Sequence, residues 1–184
     1  QYHLDKILDS ITQEQDLKII ISPSFTLIKN KKFLACEKLI DESIQWSLCN
    51  LPLNGRVYLP GNYSIEAKSM ELDSELLKLI TSGNVDQCQN AYISAEQVSA
   101  GLFIRSRIEG DRFSPLGAPG SKKVKDWMID RHWTQEKKAR TPMIVNNSNQ
   151  IVWIPGFPPA DNCSVSSDLT RVIRLTYNKT ASLC

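Results

Sequence analysis

The sequence predicts an α+β fold, a strand-rich and sandwich-like domain that carries a few short helices. Two observations indicate this class. Apolar and polar residues alternate in many short runs, which is the pattern of strands with one buried face, and glycine, proline and asparagine separate those runs. Apolar residues at helical spacing occur in few places, mostly in the second half of the chain. Strands should therefore outnumber helices.

The first half is expected to begin with a helix and continue as strands. Apolar residues recur at helical spacing over Tyr2–Ile11, which predicts an amphipathic helix. Short β-branched or alternating runs then predict strands, with Ile44, Trp46 and Leu48 facing inward in the fourth of them. In order, these strands are Leu17–Ile21, Phe25–Ile28, Phe33–Cys36, Ser43–Leu48, Val57–Leu59 and Tyr63–Ala67. A short helix over Asp73–Ile80 and a polar loop over Thr81–Gln89 complete this half.

The second half is expected to place its helices around a basic stretch. Tyr92–Ile93 predicts a strand entering a helical turn capped by Ser94. Gly101–Ile108 predicts a strand with two arginines on one face, and an apolar stripe predicts a helix over Lys123–Arg131. The remaining predicted elements are a helix from the cap Thr134 to Arg140, a hairpin of Pro142–Val145 and Ile151–Ile154, and a last strand, Leu169–Tyr177.

Length and composition favour one main domain with a short helical preface. The chain has 184 residues, of which 41% are hydrophobic and 23% charged. No stretch approaches the roughly 18 consecutive apolar residues that a membrane span requires, so we expect a soluble protein and no membrane partner. Gln1 stands where a methionine would begin a complete chain, which suggests a piece of a longer protein. The five scattered cysteines favour reduced thiols in a cytoplasmic protein and no metal site.

Positive charge is concentrated in one stretch, Phe103–Arg140, which we call the basic segment. It contains ten Lys and Arg against five Asp and Glu, a net +5, whereas residues 1–102 carry nine against thirteen, a net −4. Charges are screened within about 8 Å at physiological salt, so the local excess matters more than the total of +2. The basic segment could therefore hold a polyanion.

The residue types of the basic segment suggest a phosphate site. Glycines such as Gly110 permit close approach of the backbone, and a helix beginning near Ser121 would present its amides. The candidate phosphate-binding residues are Arg105, Arg107, Arg112, Lys122, Lys123, Lys125, Arg131, Lys138 and Arg140. The alternative is a solvated face, with Asp111, Asp126 and Asp130 pairing several of the cations. Asp111 is expected to fix its loop by accepting backbone amides.

Three tryptophans in or near the basic segment could stack on bases. Trp127 and Trp153 lie on apolar faces of their predicted elements, so burial is the expected fate of both. Trp133 follows His132 in a polar setting and is the better stacking candidate.

An ordered motif runs through the basic segment and beyond it. The chain reads IRSRIEGDRFSPLGAPGSKKVKDWMIDR, followed by ARTPMIV and IVWIPG. This motif resembles the carboxy-terminal domain of tRNA(Ile)-lysidine synthases. The family pattern is matched at Arg105, Arg107, Gly110, Asp111, Arg112, Pro115, Gly117, Gly120, Lys123, Lys125, Asp126, Pro142, Trp153 and Gly156. The resemblance is strong over residues 92–156. It implies that residues 1–16 end a preceding helical domain and that residues 17–184 form the substrate-binding domain.

The resemblance implies a fold similar to a domain of the phenylalanyl-tRNA synthetase β-subunit. It also implies a role in gripping the acceptor arm and body of an isoleucine tRNA. In the family, an amino-terminal catalytic domain uses ATP and Mg to activate the wobble cytidine, and free lysine then displaces AMP. The nucleotide loop Ser-Gly-Gly-x-Asp-Ser is absent from this sequence, so we expect no catalytic residue and no cofactor in this chain. Its expected partners are that tRNA and its own amino-terminal catalytic domain.

The chain departs from the family pattern at several positions. Thr134 stands where proline is usual, Lys138 where arginine is usual inside the short helix, and Pro158 where an arginine contact is common. Residues 72–90 have no clear counterpart. A different class of function remains open, a protein-interaction module that docks through the helix of Tyr2–Ile11. Salt separates the two, because an RNA binder loses affinity steeply as salt rises.

Overall fold

The computed structural model describes residues 17–22, 25–29, 34–38, 47–86 and 88–179. The chain forms two compact units, Gln1–Ser43 and Ile44–Cys184. The predicted helix of Tyr2–Ile11, and with it the predicted boundary after residue 16, lie outside the described residues. Within the described residues, no helix is long and apolar enough to cross a bilayer.

The first unit contains the predicted meander of three strands. The strands are β1 (Leu17–Ser22), β2 (Phe25–Lys29) and β3 (Leu34–Lys38). They pair antiparallel in the order β1-β2-β3, with an irregularity in β1 between Ile20 and Ser22. Two polar turns in the sequence separate the strands, as the alternation of β-branched runs and turn residues indicates.

The second unit contains two four-stranded sheets with the strand orders β12-β11-β8-β4 and β5-β6-β13-β7. The strands of the first sheet are β4 (Cys49–Leu51), β8 (Leu102–Arg105), β11 (Met143–Asn146) and β12 (Ile151–Trp153). Those of the second sheet are β5 (Gly55–Leu59), β6 (Tyr63–Glu71), β7 (Asn90–Ser94) and β13 (Arg171–Lys179). A two-stranded ribbon joins β9 (Arg112–Phe113) to β10 (Lys122–Lys123). All pairings are antiparallel.

Three helices accompany these sheets. They are α1 (Ser74–Thr81), α2 (Val124–Asp130) and α3 (Gln135–Arg140), with 3-10 turns at Glu96–Val98 and Asp161–Cys163. Asp73 caps α1, since its Oδ1 accepts the amide of Leu76 at 2.7 Å. Thr134 caps α3 as predicted, accepting the amide of Lys137 at 3.2 Å. The α+β class is confirmed, and the bounds of α1, α2 and α3 lie within one residue of the predicted ranges Asp73–Ile80, Lys123–Arg131 and Thr134–Arg140.

Alternation along the strands builds one core from both sheets. In the second sheet, Leu175 of β13 lies opposite Ala67 of β6 and Ala91 of β7, and all three are at most 1% exposed. In the first sheet, Ile104 of β8 lies opposite Ile144 of β11, and both are fully buried. Because side chains of a strand point alternately to opposite faces, one set of alternate residues covers the shared core. This is the sandwich-like arrangement that the sequence predicts.

The predicted strand Ser43–Leu48 is wrong where the structure describes it. Ser47 and Leu48 precede the strand, and Leu48 is 57% exposed instead of facing inward. The strand begins at Cys49, where pairing with Ile104 of β8 starts, and Leu51 supplies the buried apolar residue. The register with β8 therefore decides which residues face inward, and the alternation further upstream does not.

The predicted cap at Ser94 is also wrong. Ser94 is the last residue of β7, pairs with Val172 of β13 and is buried. The 3-10 turn begins two residues later, at Glu96, without a side-chain cap. Pairing with β13 therefore keeps Ser94 in a strand, although the local sequence favours the start of a helix at this residue.

Candidate nucleic-acid interface

The loop after β8 is organised by a buried ion pair between Arg105 and Asp111. Arg105 Nη1 and Nη2 each donate to one oxygen of the Asp111 carboxylate at 2.8 Å, and both side chains are 8% exposed. Arg105 Nε donates to Asn149 Oδ1 at 2.7 Å, in the turn of the β11–β12 hairpin. Nη1 also donates to the carbonyl of Ser106 at 3.1 Å. We call Arg105 and Asp111 the buried anchor; it joins this loop to the hairpin.

The same anchor joins the loop to α2. Asp111 Oδ2 accepts the amide of Ile108 at 2.9 Å, which confirms the prediction that Asp111 fixes its loop. The Asp111 carbonyl accepts the amide of Val124, the first residue of α2, also at 2.9 Å. Gly110 has φ +87°, which other residues adopt only with strain, so the turn into Asp111 requires glycine. Backbone and carboxylate of one aspartate thus hold both ends of the glycine-rich loop.

Two predictions about this loop are wrong. The strand ends at Arg105 instead of Ile108, so Arg105 and Arg107 do not form one exposed face of a strand. The guanidinium of Arg105 turns inward because the Asp111 carboxylate balances its charge there. The helix begins at Val124 instead of near Ser121, and its first amide is already bonded to Asp111.

Three cations of the basic segment form an exposed cation cluster, Arg112, Lys123 and Lys125. Arg112 and Lys123 are directly opposite each other in the β9–β10 ribbon, and Lys125 lies in the first turn of α2. All three are exposed, and none makes an ion pair with a described residue. Arg112 Nη2 donates to the Ser121 carbonyl at 2.7 Å, which steadies its side chain. Adjacent cations without a carboxylate partner are free to bind phosphates.

Three other predicted residues are tethered to protein groups. Lys122 pairs with Asp130, and its ammonium lies 4.2 Å from the centre of the Trp127 ring. Arg131 donates to the Gly156 carbonyl and lies 4.1 Å from the centre of the Phe157 ring. Arg140 pairs with Glu136 one helical turn earlier, Nη1 to Oε1, at 2.9 Å. The pairings of Lys122 with Asp130 and of Arg105 with Asp111 are the alternative that the sequence left open. Solvent exposure keeps the Lys122 pair weak. The last two predicted residues, Arg107 and Lys138, are half-buried.

Two of the three tryptophans are buried, and the third is half-buried. Trp153 is fully buried and Trp127 is half-buried, with its Nε1 donating to the Phe113 carbonyl at 2.9 Å, as expected of both. Trp133 is only 8% exposed, so its prediction as a base-stacking residue is wrong. It packs on the Phe157 ring at 5.1 Å and against Gly156, where an added Cβ would lie 2.8 Å from the indole. Gly156 makes room for Trp133.

One exposed cation of the basic segment, Lys137, is not among the residues predicted from the sequence. Lys137 is exposed, and its ammonium lies 4.3 Å from the centre of the Trp133 ring. The sequence feature that could have identified Lys137 is its place in the short helix α3, next to Lys138. The missing information was the position of Trp133, which a polar context had suggested to be exposed.

The described residues offer no arrangement for metal binding. No group of three or more His, Cys, Asp and Glu residues lies close enough together to hold a metal ion in that part of the chain. Cys49, Cys88 and Cys163 are free thiols, and burial raises the pKa of the Cys163 thiol to about 11, which makes it unreactive.

Comparison with known proteins identifies a family that matches the residues of this surface. Residues 102–175 match the family described as "TilS substrate C-terminal domain". A bifunctional TilS/HprT protein of Listeria monocytogenes is 33% identical over 130 residues, which covers 70% of this chain and 19% of the relative. A tRNA(Ile)-lysidine synthase of Clostridioides difficile is 26% identical over 183 residues, 97% of this chain and 37% of the relative. The chain thus spans well under half the length of these curated relatives.

One solved structure shares the fold of this chain. A crystal structure of a TilS C-terminal domain superposes with a TM-score of 0.62 at 24% identity, covering 74% of this chain and 98% of that chain. A fragment of the phenylalanyl-tRNA synthetase β-subunit from Pyrococcus horikoshii has a TM-score of 0.47 at 13% identity, over 65% of this chain and 39% of that chain. The match of residues 102–175 therefore places this stretch of the chain in the carboxy-terminal domain family of the tRNA(Ile)-lysidine synthases.

Proposed function

We propose that this chain is the tRNA-holding part of a tRNA(Ile)-lysidine synthase. The observation that carries the proposal is the overlap of two independent features. The family match over residues 102–175 includes the whole basic segment, and that segment exposes Arg112, Lys123 and Lys125, none of which pairs with a carboxylate of the described residues. A surface of this kind binds the phosphates of a nucleic acid.

The physical role of the surface is to position the tRNA. RNA duplexes are recognised mainly by shape, phosphates and 2′-hydroxyls, so the exposed cation cluster would read little sequence. The buried anchor would act as a positioning element, since it fixes the loop that precedes Arg112 and the helix start that follows Lys123. The proposed partners are the acceptor arm and body of isoleucine tRNA and the enzyme's own amino-terminal catalytic domain.

The chemistry is assigned to that catalytic domain. There, ATP and Mg would activate the wobble cytidine, and lysine would displace AMP. We assign no cofactor and no catalytic residue to this chain, in which the Ser-Gly-Gly-x-Asp-Ser loop does not occur. The proposed compartment is the cytoplasm, where tRNA is modified.

Titration of the chain with isoleucine tRNA tests the proposal. The double variant Lys123→Ala/Lys125→Ala should bind about tenfold more weakly than the wild type, because two phosphate contacts are lost. The matched control is Lys68→Ala/Lys78→Ala, which removes two exposed lysines outside the basic segment and should bind as the wild type does. Equal binding by all three proteins would sink the site assignment. ATP hydrolysis or lysine coupling by the purified chain would overturn the division of labour.

A further inference from the structure

A groove lies between α3, the start of β6 and the end of β13. We call it the tyrosine groove. Its volume is about 490 Å³, within the range of roughly 300–1,000 Å³ in which small-molecule sites fall. Tyr63, Tyr177, Lys137, Arg140 and Lys179 line it, together with Gly156. Of these, only Arg140 belongs to the set that the sequence assigned to RNA.

Two stacked tyrosines form the aromatic part of the groove. The rings of Tyr63 and Tyr177 are nearly parallel, 7° apart, with centroids separated by 5.1 Å. They come from neighbouring strands, since β13 pairs Lys179 with Tyr63 and Tyr177 with Ile65. Burial holds the pKa of the Tyr177 hydroxyl above its usual range, so the phenol stays neutral at physiological pH. Tyr177 therefore offers ring surface without adding negative charge.

Cations surround this aromatic pair. Lys137, Arg140 and Lys179 line the groove against the single carboxylate of Glu136, which leaves an excess of two positive charges. Glu136 is engaged by Arg140 at 2.9 Å, and the ammonium of Lys137 is supported by the Trp133 ring at 4.3 Å. Lys179 is exposed and forms no ion pair with a described residue. Lys137 and Lys179 are thus the cations best placed to accept an added anion.

We propose that the tyrosine groove binds an unpaired, phosphate-bearing nucleotide of RNA. The base would lie against the tyrosine rings, and the phosphate would contact Lys137 and Lys179. Ring surface beside free cations is the combination by which proteins hold single-stranded nucleic acid, and stacking on an aromatic residue contributes about 1–3 kcal/mol per base. Paired bases inside a duplex could not present a ring face, so the groove selects an unpaired position. This inference rests on the proposed function, because it assumes that RNA is the ligand of the exposed cation cluster.

Two RNA duplexes of identical sequence test the inference with the full chain. One is blunt, and the other carries a few unpaired nucleotides at one 3′ end. The wild type should bind the second about tenfold more tightly. Lys137→Ala/Lys179→Ala should lose that difference while still binding the blunt duplex, and the control Lys68→Ala/Lys78→Ala should keep it.

Cys88 supplies an independent readout, because this exposed thiol also lines the tyrosine groove. A short single-stranded oligonucleotide should slow its alkylation, followed at the Cys88 peptide by mass spectrometry. AMP at the same concentration should protect it less. Full protection by AMP would assign the groove to free nucleotides and contradict the RNA source.

The outcomes separate the two proposals. If both duplexes bind equally well and the oligonucleotide leaves Cys88 unprotected, the inference fails and the proposed function stands. If neither duplex nor isoleucine tRNA binds, the proposed function fails, and with it the RNA ligand of the groove. A difference between the duplexes that persists in Lys137→Ala/Lys179→Ala would place the unpaired nucleotide elsewhere.

Discussion

The buried anchor and the exposed cation cluster are a few residues apart in the sequence. Each contains an arginine, which is buried in the anchor and exposed in the cluster. Arg105 spends its donors on Asp111, Asn149 and Ser106, inside the protein. Arg112 and Lys123 face each other across a ribbon; both are exposed, and neither pairs with a carboxylate in the part of the chain that the structure describes. A carboxylate within reach commits a cation to the fold, and its absence leaves a cation for a ligand. The family motif therefore contains two kinds of residue. Arg105 and Asp111 hold the loop in place, and Arg112 and Lys123 are exposed on the surface.

Removing one half of the buried anchor should have the largest effect on stability. Asp111→Ala leaves the Arg105 guanidinium buried without its counter-charge, which should lower the free energy of unfolding by about 3–5 kcal/mol. Urea denaturation measures this. Arg112→Ala, an arginine change in the exposed cation cluster, is the matched control and should cost about 0.5 kcal/mol or less. Similar losses in the two variants would erase the distinction between the regions.

The next largest effect should come from Gly156→Ala. A Cβ at this position would lie 2.8 Å from the Trp133 ring, and φ is +96°. Strain at such a position costs about 1–3 kcal/mol, and displacement of Trp133 from its buried site should add to it. Thermal unfolding and tryptophan fluorescence together report both changes. An unchanged emission maximum with unchanged stability would mean that Trp133 does not depend on this contact.

A smaller, pH-dependent effect should come from Cys163. Its pKa is raised from 9.0 to about 11 by burial, so the folded state keeps a proton that the unfolded state releases. Stability from this thiol is therefore present below pH 9 and lost as pH rises towards 11, by about 2 kcal/mol. The Tyr177 hydroxyl acts in the same direction above its usual pKa of 10.0. Cys163→Ala should show a shallower decline than the wild type in urea titrations; parallel declines would contradict the assignment.

The smallest effect on stability should come from the exposed cation cluster. Lys123→Ala/Lys125→Ala removes two solvated side chains that form no ion pair with a described residue. The free energy of unfolding should change by about 0.5 kcal/mol or less. A loss of several kcal/mol in urea denaturation would show that these lysines support the fold, and any loss of binding would then have a trivial cause.

Local pattern was sufficient for most elements. Alternation predicted β5, β6 and β13, in which Ile65 and Ala67 of β6 and Ile173 and Leu175 of β13 are buried at alternate positions. Turn residues predicted the hairpin of β11 and β12, and the cap Thr134 predicted the start of α3. These features depend on residues within a few positions of one another.

The failures depend on distant partners. Trp133 is buried because Gly156 and Phe157, more than twenty residues later, form its contact surface. The start of β4 follows the register with β8, about fifty residues away. For the site, the sequence identified the charged segment and the loop-fixing aspartate, but it could not separate Arg105 from its exposed neighbours. That separation needs the position of Asp111 and Asn149 around one guanidinium.

The dependence of tRNA affinity on salt tests the central claim most directly. Each phosphate contact that a cation makes steepens the decline of log affinity against log salt by about one unit or slightly less. Lys123→Ala/Lys125→Ala should therefore bind isoleucine tRNA with a slope shallower by about two than that of the wild type. Lys68→Ala/Lys78→Ala should keep the wild-type slope. A slope unchanged in the first variant would contradict the assignment of the exposed cation cluster to the tRNA backbone.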